Sequence, residues 1–428
     1  MGKFGLIVIG VLSLLLGLPF AGGCQAEKSF RELPDTLSQA TSGRMDVEVL
    51  SYERGWFRSQ AQTRVGVAGA PSETGLVMNH SITHGPFPVG ELLDGRIPRS
   101  LSAAVVHTEW RPGHLGAASD HKPFFTMRTE VGFGQNPDVM FEIPPTDNPA
   151  EGFEWRGLKG SVTAQGDGKH RMEFESPGFR VQGPQGSVSV GTLRGEFALG
   201  ASPNGLPVGS GTFSVDQVDL TKSGPPQGVF GLRQVQWSYE EVEGLPGETV
   251  NVRSNFKIAE FVGGARQIRA AELQLNFQDL DVQAMRMLET MPPGNAASTG
   301  FQPTPEHENV LRLFLARSPE LEASLRMTTS AGILEGIVLV KPAQDFPSGN
   351  AHALLFASSV RGRFLLPVSS INPEAARKME AVGLLVRRDD RYLMHLIYRN
   401  GMLDVNGWLH QPSEVVPMAM LVFGAMKL

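Results

Sequence analysis

Beyond residue 45, apolar and polar residues alternate with a period of two along most of the chain. Phe57, Ser59, Ala61, Thr63, Val65 and Val67 are apolar or small, and Arg58, Gln60, Gln62 and Arg64 stand between them. Successive side chains of an extended strand point to opposite faces, so the pattern predicts a strand with one buried face. The alternation returns in Phe213 and Val215, in Val235, Trp237 and Tyr239, in Val250, Val252, Ser254, Phe256 and Ile258, and in Leu273, Leu275 and Phe277. Shorter runs between turn residues fill 155–200, where Gly191 and Gly195 predict bulges or bends. Strands that follow one another without intervening helices pair antiparallel through hairpins, because parallel pairing needs a long crossover.

Helical periodicity is sparse. Residues 281–291 place Val282, Met285, Leu288 and Met291 on one face and stop at Pro292-Pro293. Residues 305–316 open with Pro305, carry acidic residues in the first turn and align Val310, Leu311, Phe314 and Leu315. A further helix is expected over 373–382. Strands resume over 321–327, 332–340 and 391–398, and Asn400-Gly401 between two β-like runs predicts a closing hairpin. The expected class is mainly β (all-β to α+β): a long, curved, mostly antiparallel sheet with a few short helices, preceded by an N-terminal membrane-targeting helix.

The expected organisation is a signal or anchor over 1–24, a helical linker over 25–45 limited by Pro34, and β-rich regions over 46–292 and 303–428. One continuous region over 46–428 fits the same pattern. The first hairpin is expected to reverse at Arg54-Gly55, with Gly55 supplying a positive φ and Trp56 and Phe57 burying on opposite faces of the outgoing strand.

Composition narrows the function. The 49 glycines and 30 prolines fit a turn-rich β protein. Net charge is −6 and Lys and Arg are scattered, so a phosphate backbone finds no basic stripe and nucleic acid is not an expected partner. A lone cysteine, Cys24, excludes an internal disulfide framework and a Cys-rich zinc site. Its position matters more. Residues 4–23 carry no charge, and as a helix they would span about 30 Å, the apolar thickness of a bilayer. Two readings stay open: an uncleaved membrane helix, or an export signal in which the small residues Ala21, Gly22 and Gly23 let a peptidase reach Cys24 for lipidation. Both tether the rest of the chain to a membrane, outside the cytoplasm.

Catalytic signatures are absent: there is no G-x-S-x-G, no G-x-x-x-x-G-K and no G-x-G-x-x-G. His307-Glu308 begins like a zinc-protease helix, but the second ligand position holds Leu311. Asp279 and Asp281 could face one way as a carboxylate pair, although solvated residues at a strand end are the simpler reading. Five of the ten histidines, His80, His84, His107, His114 and His121, lie in one window, the one region worth weighing for a metal. Their spacing matches no ligand pattern. The run Thr83-His84-Gly85-Pro86-Phe87-Pro88 reads as a rigid bend. No cofactor, metal or catalytic residue is expected.

Several stretches carry a family resemblance: Tyr52-Glu53-Arg54-Gly55-Trp56-Phe57-Arg58-Ser59, Ile82-Thr83-His84-Gly85-Pro86-Phe87-Pro88, Leu280-Asp281, LARSPELEASLRMTTSAG over 315–332, and Asn400-Gly401-Met402-Leu403-Asp404-Val405-Asn406-Gly407. In this order the chain resembles the YdgA-like bacterial family of unknown function. The resemblance implies a Gram-negative cell-envelope protein with an N-terminal membrane segment and a large periplasmic β-rich region, and it brings no catalytic residues. It makes Tyr52, Arg54, Gly55, Phe57, Ser59, His84, Gly85, Pro86, Asn400, Gly401, Asn406 and Gly407 family markers of structural character. Cys24 departs from the family pattern. The expected function is therefore a non-enzymatic, membrane-tethered envelope protein that binds or guides a lipid or other apolar ligand along a β groove, or docks an envelope protein. A ligand-free scaffold with a solid core is the alternative, and a metal-dependent hydrolase using the histidine window is the third reading.

Overall fold

A computed structural model describes residues 23–24, 26–28, 30–32, 34–35, 45–68, 75–85, 102–112, 123–133, 137–148, 152–166, 168–223, 229–263, 266–290, 309–310, 312–314, 317–342, 358–399 and 402–410. Among them the chain is mainly β, with antiparallel strand pairs and few short helices. The apolar segment expected to reach a membrane lies outside the described residues, and no described helix is long and apolar enough to cross one. Within the expected 25–45 linker the described residues from 26 to 35 are helical, Pro34 included, as are Gly23 and Cys24 before it.

Contacts divide the chain into two compact units, one of residues 1–147 and 155–177, the other of 148–154 and 178–428. In the first, the strands are β1 (Met45–Glu53), β2 (Arg58–Val67), β3 (Leu76–His84), β4 (Ala104–Pro112), β5 (Phe125–Val131) and β6 (Pro137–Ile143). Two three-residue strands, β7 (Thr146–Asn148) and β8 (Phe153–Trp155), precede β9 (Leu158–Gly166) and β10 (Lys169–Ser176). Each of β1 to β5 pairs antiparallel with the next, and β6 continues through β9 to β10. The predicted first hairpin is present, with Val47 opposite Val65 and Tyr52 opposite Ala61.

The second unit carries β11 (Phe179–Gly183), β12 (Gly186–Val190), β13 (Leu193–Ala201) and four long strands: β14 (Pro207–Lys222), β15 (Val229–Glu243), β16 (Thr249–Gly263) and β17 (Arg266–Asp281). At about 3.3 Å per residue the long strands run roughly 50 Å, well beyond the usual strand. Both β12 and β13 fit end to end along β14 for this reason, β13 on Pro207–Val215 and β12 on Val218–Lys222. Helix α1 (Val282–Thr290) follows, then β18 (Glu320–Thr329), β19 (Gly332–Lys341) and β20 (Ser359–Pro367). Helix α2 (Pro373–Ala381), β21 (Val386–Arg388), β22 (Arg391–Arg399), β23 (Met402–Val405) and β24 (Trp408–His410) complete the unit. Strands β17 and β18, which flank the expected 292–303 loop, pair directly. The closing hairpin is also present: β22 and β23 pair up to Arg399 opposite Met402, on either side of Asn400 and Gly401, which lie outside the described residues.

Core formation follows the alternation. In the first unit Val47, Val65 and Met78 bury together against Trp110. In the second, α2 lays Ala376 and Met379 on Leu334, Leu366, Tyr392 and Leu403. Asn372 caps that helix by accepting the amide of Glu374 at 2.9 Å, and Pro373 sits in its first turn, where its missing N–H costs nothing.

Three local expectations are corrected. Gly55 is not among the described residues with positive φ; it is required because a Cβ there would sit 2.1 Å from the carbonyl oxygen of Arg58. Trp56 is 52% exposed instead of buried, since it lies in the turn before β2 begins at Arg58. Gly195 makes no bulge: it pairs in register with Phe213.

Candidate functional site

Two faces stand out, one in each unit. In the first unit, residues two apart on β2 and β3 share a face, so Ser59 and Thr63 look the same way as His80 and His84. Cross-strand diagonals bring them together. Ser59 Oγ lies 2.8 Å from His84 Nε2, and His80 bridges Thr63 Oγ1 at 2.8 Å and Thr108 Oγ1 at 2.9 Å. Ser59 is 1% exposed and His84 0%.

Burial in this row lowers the basicity of both imidazoles. His80 is pushed down to about 4, and His84 is lowered, in each case by loss of water around the charged form. His84 Nδ1 has no hydrogen-bond partner among the described residues. The least costly tautomer is therefore the one in which Nε2–H donates to Ser59 and Nδ1 keeps its lone pair, since an unpaired buried N–H costs more. Tyr52, opposite Ala61, has its phenol raised first by burial, with the Ser59 hydroxyl opposing that rise.

The described helical residues between 23 and 35 cover this row. The Phe30 ring meets Tyr52 at 5.9 Å and stands edge-on to His80 at 5.0 Å. A Cβ on Gly23 would fall 3.2 Å from His84 Nε2. Arg54 Nη1 reaches Glu27 Oε2 and Cys24 Sγ, both at 3.4 Å, and Glu27 also holds Arg31 at 2.9 Å.

The family markers thus sort by place. Tyr52, Arg54, Ser59 and His84 converge at this covered row. Phe57 joins its motif to the next through its carbonyl, which accepts the His84 amide at 2.9 Å. Gly85 admits a close approach of backbone: a Cβ there would lie 1.8 Å from the Ser102 carbonyl oxygen. Pro86 lies outside the described residues, and the expected bend at 83–88 starts later than predicted, since Thr83 and His84 still belong to β3. Asn406 belongs to the other unit. At φ 52° it accepts from the His395 amide at 2.9 Å and donates to the carbonyls of Gly383 and Leu384 at 3.0 Å, while Gly407 follows at φ 90°. Both hold a turn.

The described histidines of the window, His80, His84 and His107, do not converge on one point. His107 pairs with Ser81 and so faces away from His80, and His114 and His121 lie outside the described residues. Among the described residues no three His, Cys, Asp or Glu side chains gather at metal-binding distance. The His307 near-motif lies outside the described residues. Asp279 and Asp281 form no dyad: Asp279 sits at φ 57° with its amide donating to Asn251 Oδ1, and Asp281 caps α1 through Ala284 and pairs with Arg317.

In the second unit the alternating apolar residues line up across strands. Phe213 pairs with Trp237, Trp237 with Phe256, Phe256 with Leu273, and Leu273 with Leu325. The neighbouring row runs Val215, Val235, Ile258, Ala271, Met327 and Leu334. Both rows face one way. At one end α2 covers Leu334 and packs beside Leu325 and Met327; towards another edge α1 sets Val282 and Met285 on Val250 and Val252, which share the face of Phe256. Between the helices the described residues cover the apolar floor only in part. No residue from Phe213 to Leu325 along the first row is buried, and Phe256 is 37% exposed. Trp237 stacks on Tyr239 with ring centres 5.1 Å apart and donates its Nε1–H to Ser254.

A cleft of about 740 Å³ is lined by Gln236, Lys257, Glu272 and Arg326 together with Val215, Val235, Ile258 and Ala271 of the second apolar row. Its charges answer one another, with Lys257 at 3.2 Å from Glu272.

Sequence reading missed the His80 bridge. The signal was present in the period-two run Leu76, Met78, His80, Ile82 and His84, which places both imidazoles on the core side of a strand.

The chain belongs to the family described as bacterial protein of unknown function (DUF945), which its residues 1–336 match. It is similar to Protein YdgA of Escherichia coli (strain K12), at 21% identity over 343 residues, covering 74% of this chain and 66% of YdgA. It is also similar to the Uncharacterized protein YihF of the same organism, at 21% identity over 258 residues, covering 56% of this chain and 52% of YihF. The chain spans between about half and two thirds of the length of these curated relatives. No solved structure matches. The YdgA-like resemblance carried by the motifs is borne out.

Proposed function

We propose that this DUF945 protein is a non-enzymatic, membrane-tethered component of the cell envelope, facing the periplasm, that holds a lipid acyl chain on the open apolar floor of its second unit. The observation that carries the reading is the row from Phe213 through Trp237, Phe256 and Leu273 to Leu325, none of it buried although all of it is apolar. Monomeric soluble proteins keep contiguous apolar patches small, and a patch flanked by helices fits an apolar ligand. Five strands spaced about 4.8 Å apart give the row roughly 19 Å of width, enough for a stretch of hydrocarbon. The uncharged run over residues 4–23 supports the membrane tether. The polar row of the first unit is sealed, which suits a structural part better than a site of chemistry.

The test is extraction of the full chain from membranes in detergent, followed by native mass spectrometry. The expected result is a co-purifying lipid that Phe256→Glu removes while the thermal melt is retained. A parent protein with no apolar ligand, or equal lipid in the variant, overturns the reading in favour of a scaffold with no ligand.

A further inference from the structure

The first-unit row and the segment above it carry a separate inference. Three family markers, Tyr52, Arg54 and His84, together with His80 meet one stretch of chain, the helical residues between 23 and 35. Phe30 rests on Tyr52 and His80, Gly23 on His84, and Glu27 and Cys24 on Arg54. These contacts span the stretch from its first described residue to its middle. The most demanding is at Gly23: a Cβ there would lie 3.2 to 3.5 Å from three atoms of the His84 ring, and that ring is locked by Ser59 and fully buried. His84 cannot swing aside without breaking a buried hydrogen bond.

We infer that Tyr52, Arg54, Ser59, His80 and His84 form an intramolecular clamp for the segment 23–35, and that the clamp uses Gly23 and therefore keeps the Gly23–Cys24 peptide bond intact. The markers gathered around Arg54 and His84 then recognise this chain's own membrane-proximal strap. Lipidation at Cys24 is the competing outcome. It would join Sγ to the glyceryl carbon of a phospholipid, breaking that carbon's bond to the phosphate oxygen so that the phosphorylated head group leaves and the thiol proton is lost, and hydrolysis of the Gly23–Cys24 bond would then detach everything up to Gly23, removing the residue that seals His84. In the clamped arrangement the Cys24 thiol instead accepts a hydrogen bond from Arg54 Nη1, and the body of the protein is held against the strap that continues into the uncharged run.

Physical chemistry makes the clamp measurable. A stretch of about a dozen residues is a marginal helix on its own in water, so its order depends on the face it rests on. The experiment takes the full chain extracted from membranes. Peptide mapping is expected to recover a peptide crossing Gly23–Cys24, with a thiol that alkylates; a mature N-terminus at Cys24 carrying a lipid adduct overturns the inference. Hydrogen exchange then separates clamping from simple proximity. Phe30→Glu and Gly23→Leu are each expected to speed amide exchange over 26–32 by roughly tenfold or more while β5, β6 and β9 keep their protection. Unchanged exchange in both variants overturns the clamp even if the peptide bond is intact. Cys24→Ser is expected to leave membrane association unchanged, and its release into the soluble fraction would again point to lipidation.

Discussion

The two units treat polarity in opposite ways. The covered face of β2, β3 and β4 places serine, threonine and histidine where water is excluded, while the corresponding face of β14 to β18 leaves phenylalanine and tryptophan within its reach. Each arrangement is costly alone: a buried polar group needs a partner, and an exposed aromatic face loses the hydrophobic gain that folding supplies elsewhere. The first cost is met inside the chain by Thr63 and Thr108 for His80 and, at Nε2 alone, by Ser59 for His84. The second is not met by any residue described. Among these faces the open apolar one is where a ligand is to be sought, and the closed polar one is where the architecture is held.

The largest effect that could break this contrast is steric. Gly85→Val would press a side chain into the Ser102 carbonyl, and Gly55→Val into that of Arg58, both backbone atoms that cannot rotate away. Each is expected to destabilise the first unit by about 3–5 kcal/mol, read as a fall in thermal midpoint. Equal melting of Gly55→Val and the parent would remove the turn from the account.

Next comes pH. Burial lowers His80 from its ordinary 6.5 to about 4, so as pH falls the unfolded chain takes up the proton before the folded one. The contribution of neutral His80 is complete above pH 6.5 and is lost between 6.5 and 4, by about 3 kcal/mol, after which the slope flattens. His84 shifts in the same direction. Denaturant titrations of the parent at pH 7, 5.5 and 4.5 should show the decline, and His80→Gln, which keeps hydrogen-bonding capacity, should flatten it.

The opposite face should answer differently. Phe256→Glu adds a charge where the ring is already partly in water, so stability is expected to change by no more than about 1 kcal/mol while bound lipid is lost. A collapse of the melt would mean that the floor is core after all, and the contrast between the units would fail. The smallest effect is at Arg54. Its pairing with Glu27 is exposed enough for Arg54→Ala to cost less than about 1 kcal/mol in thermal unfolding.

Much of the fold was legible because a period of two says directly which residues share a face. The rows around Ser59, Thr63, Trp237 and Phe256 could be written down from the chain, as could the hairpins at Arg54-Gly55 and Asn400-Gly401. The reason for Gly55 was not legible, since a glycine needed for positive φ and one needed for room look alike in sequence. Trp56 misled for a related reason: an aromatic beside a strand reads as core until the start of the strand is known. The sealed cluster was harder still, because Ser59 and His84 are separated by 25 positions and Thr63 and His80 by 17, and only pairing of β2 with β3 joins them.

The sequence by itself determined the class of structure, the alternation of faces and membership of a family, since these depend on local backbone geometry and on ordered motifs. Tertiary structure decided what each face meets. It set the segment 23–35 over one row and the helices α1 and α2 at the margins of the other, and this could not be read in advance because alternation records which side chains point together but not what lies opposite them.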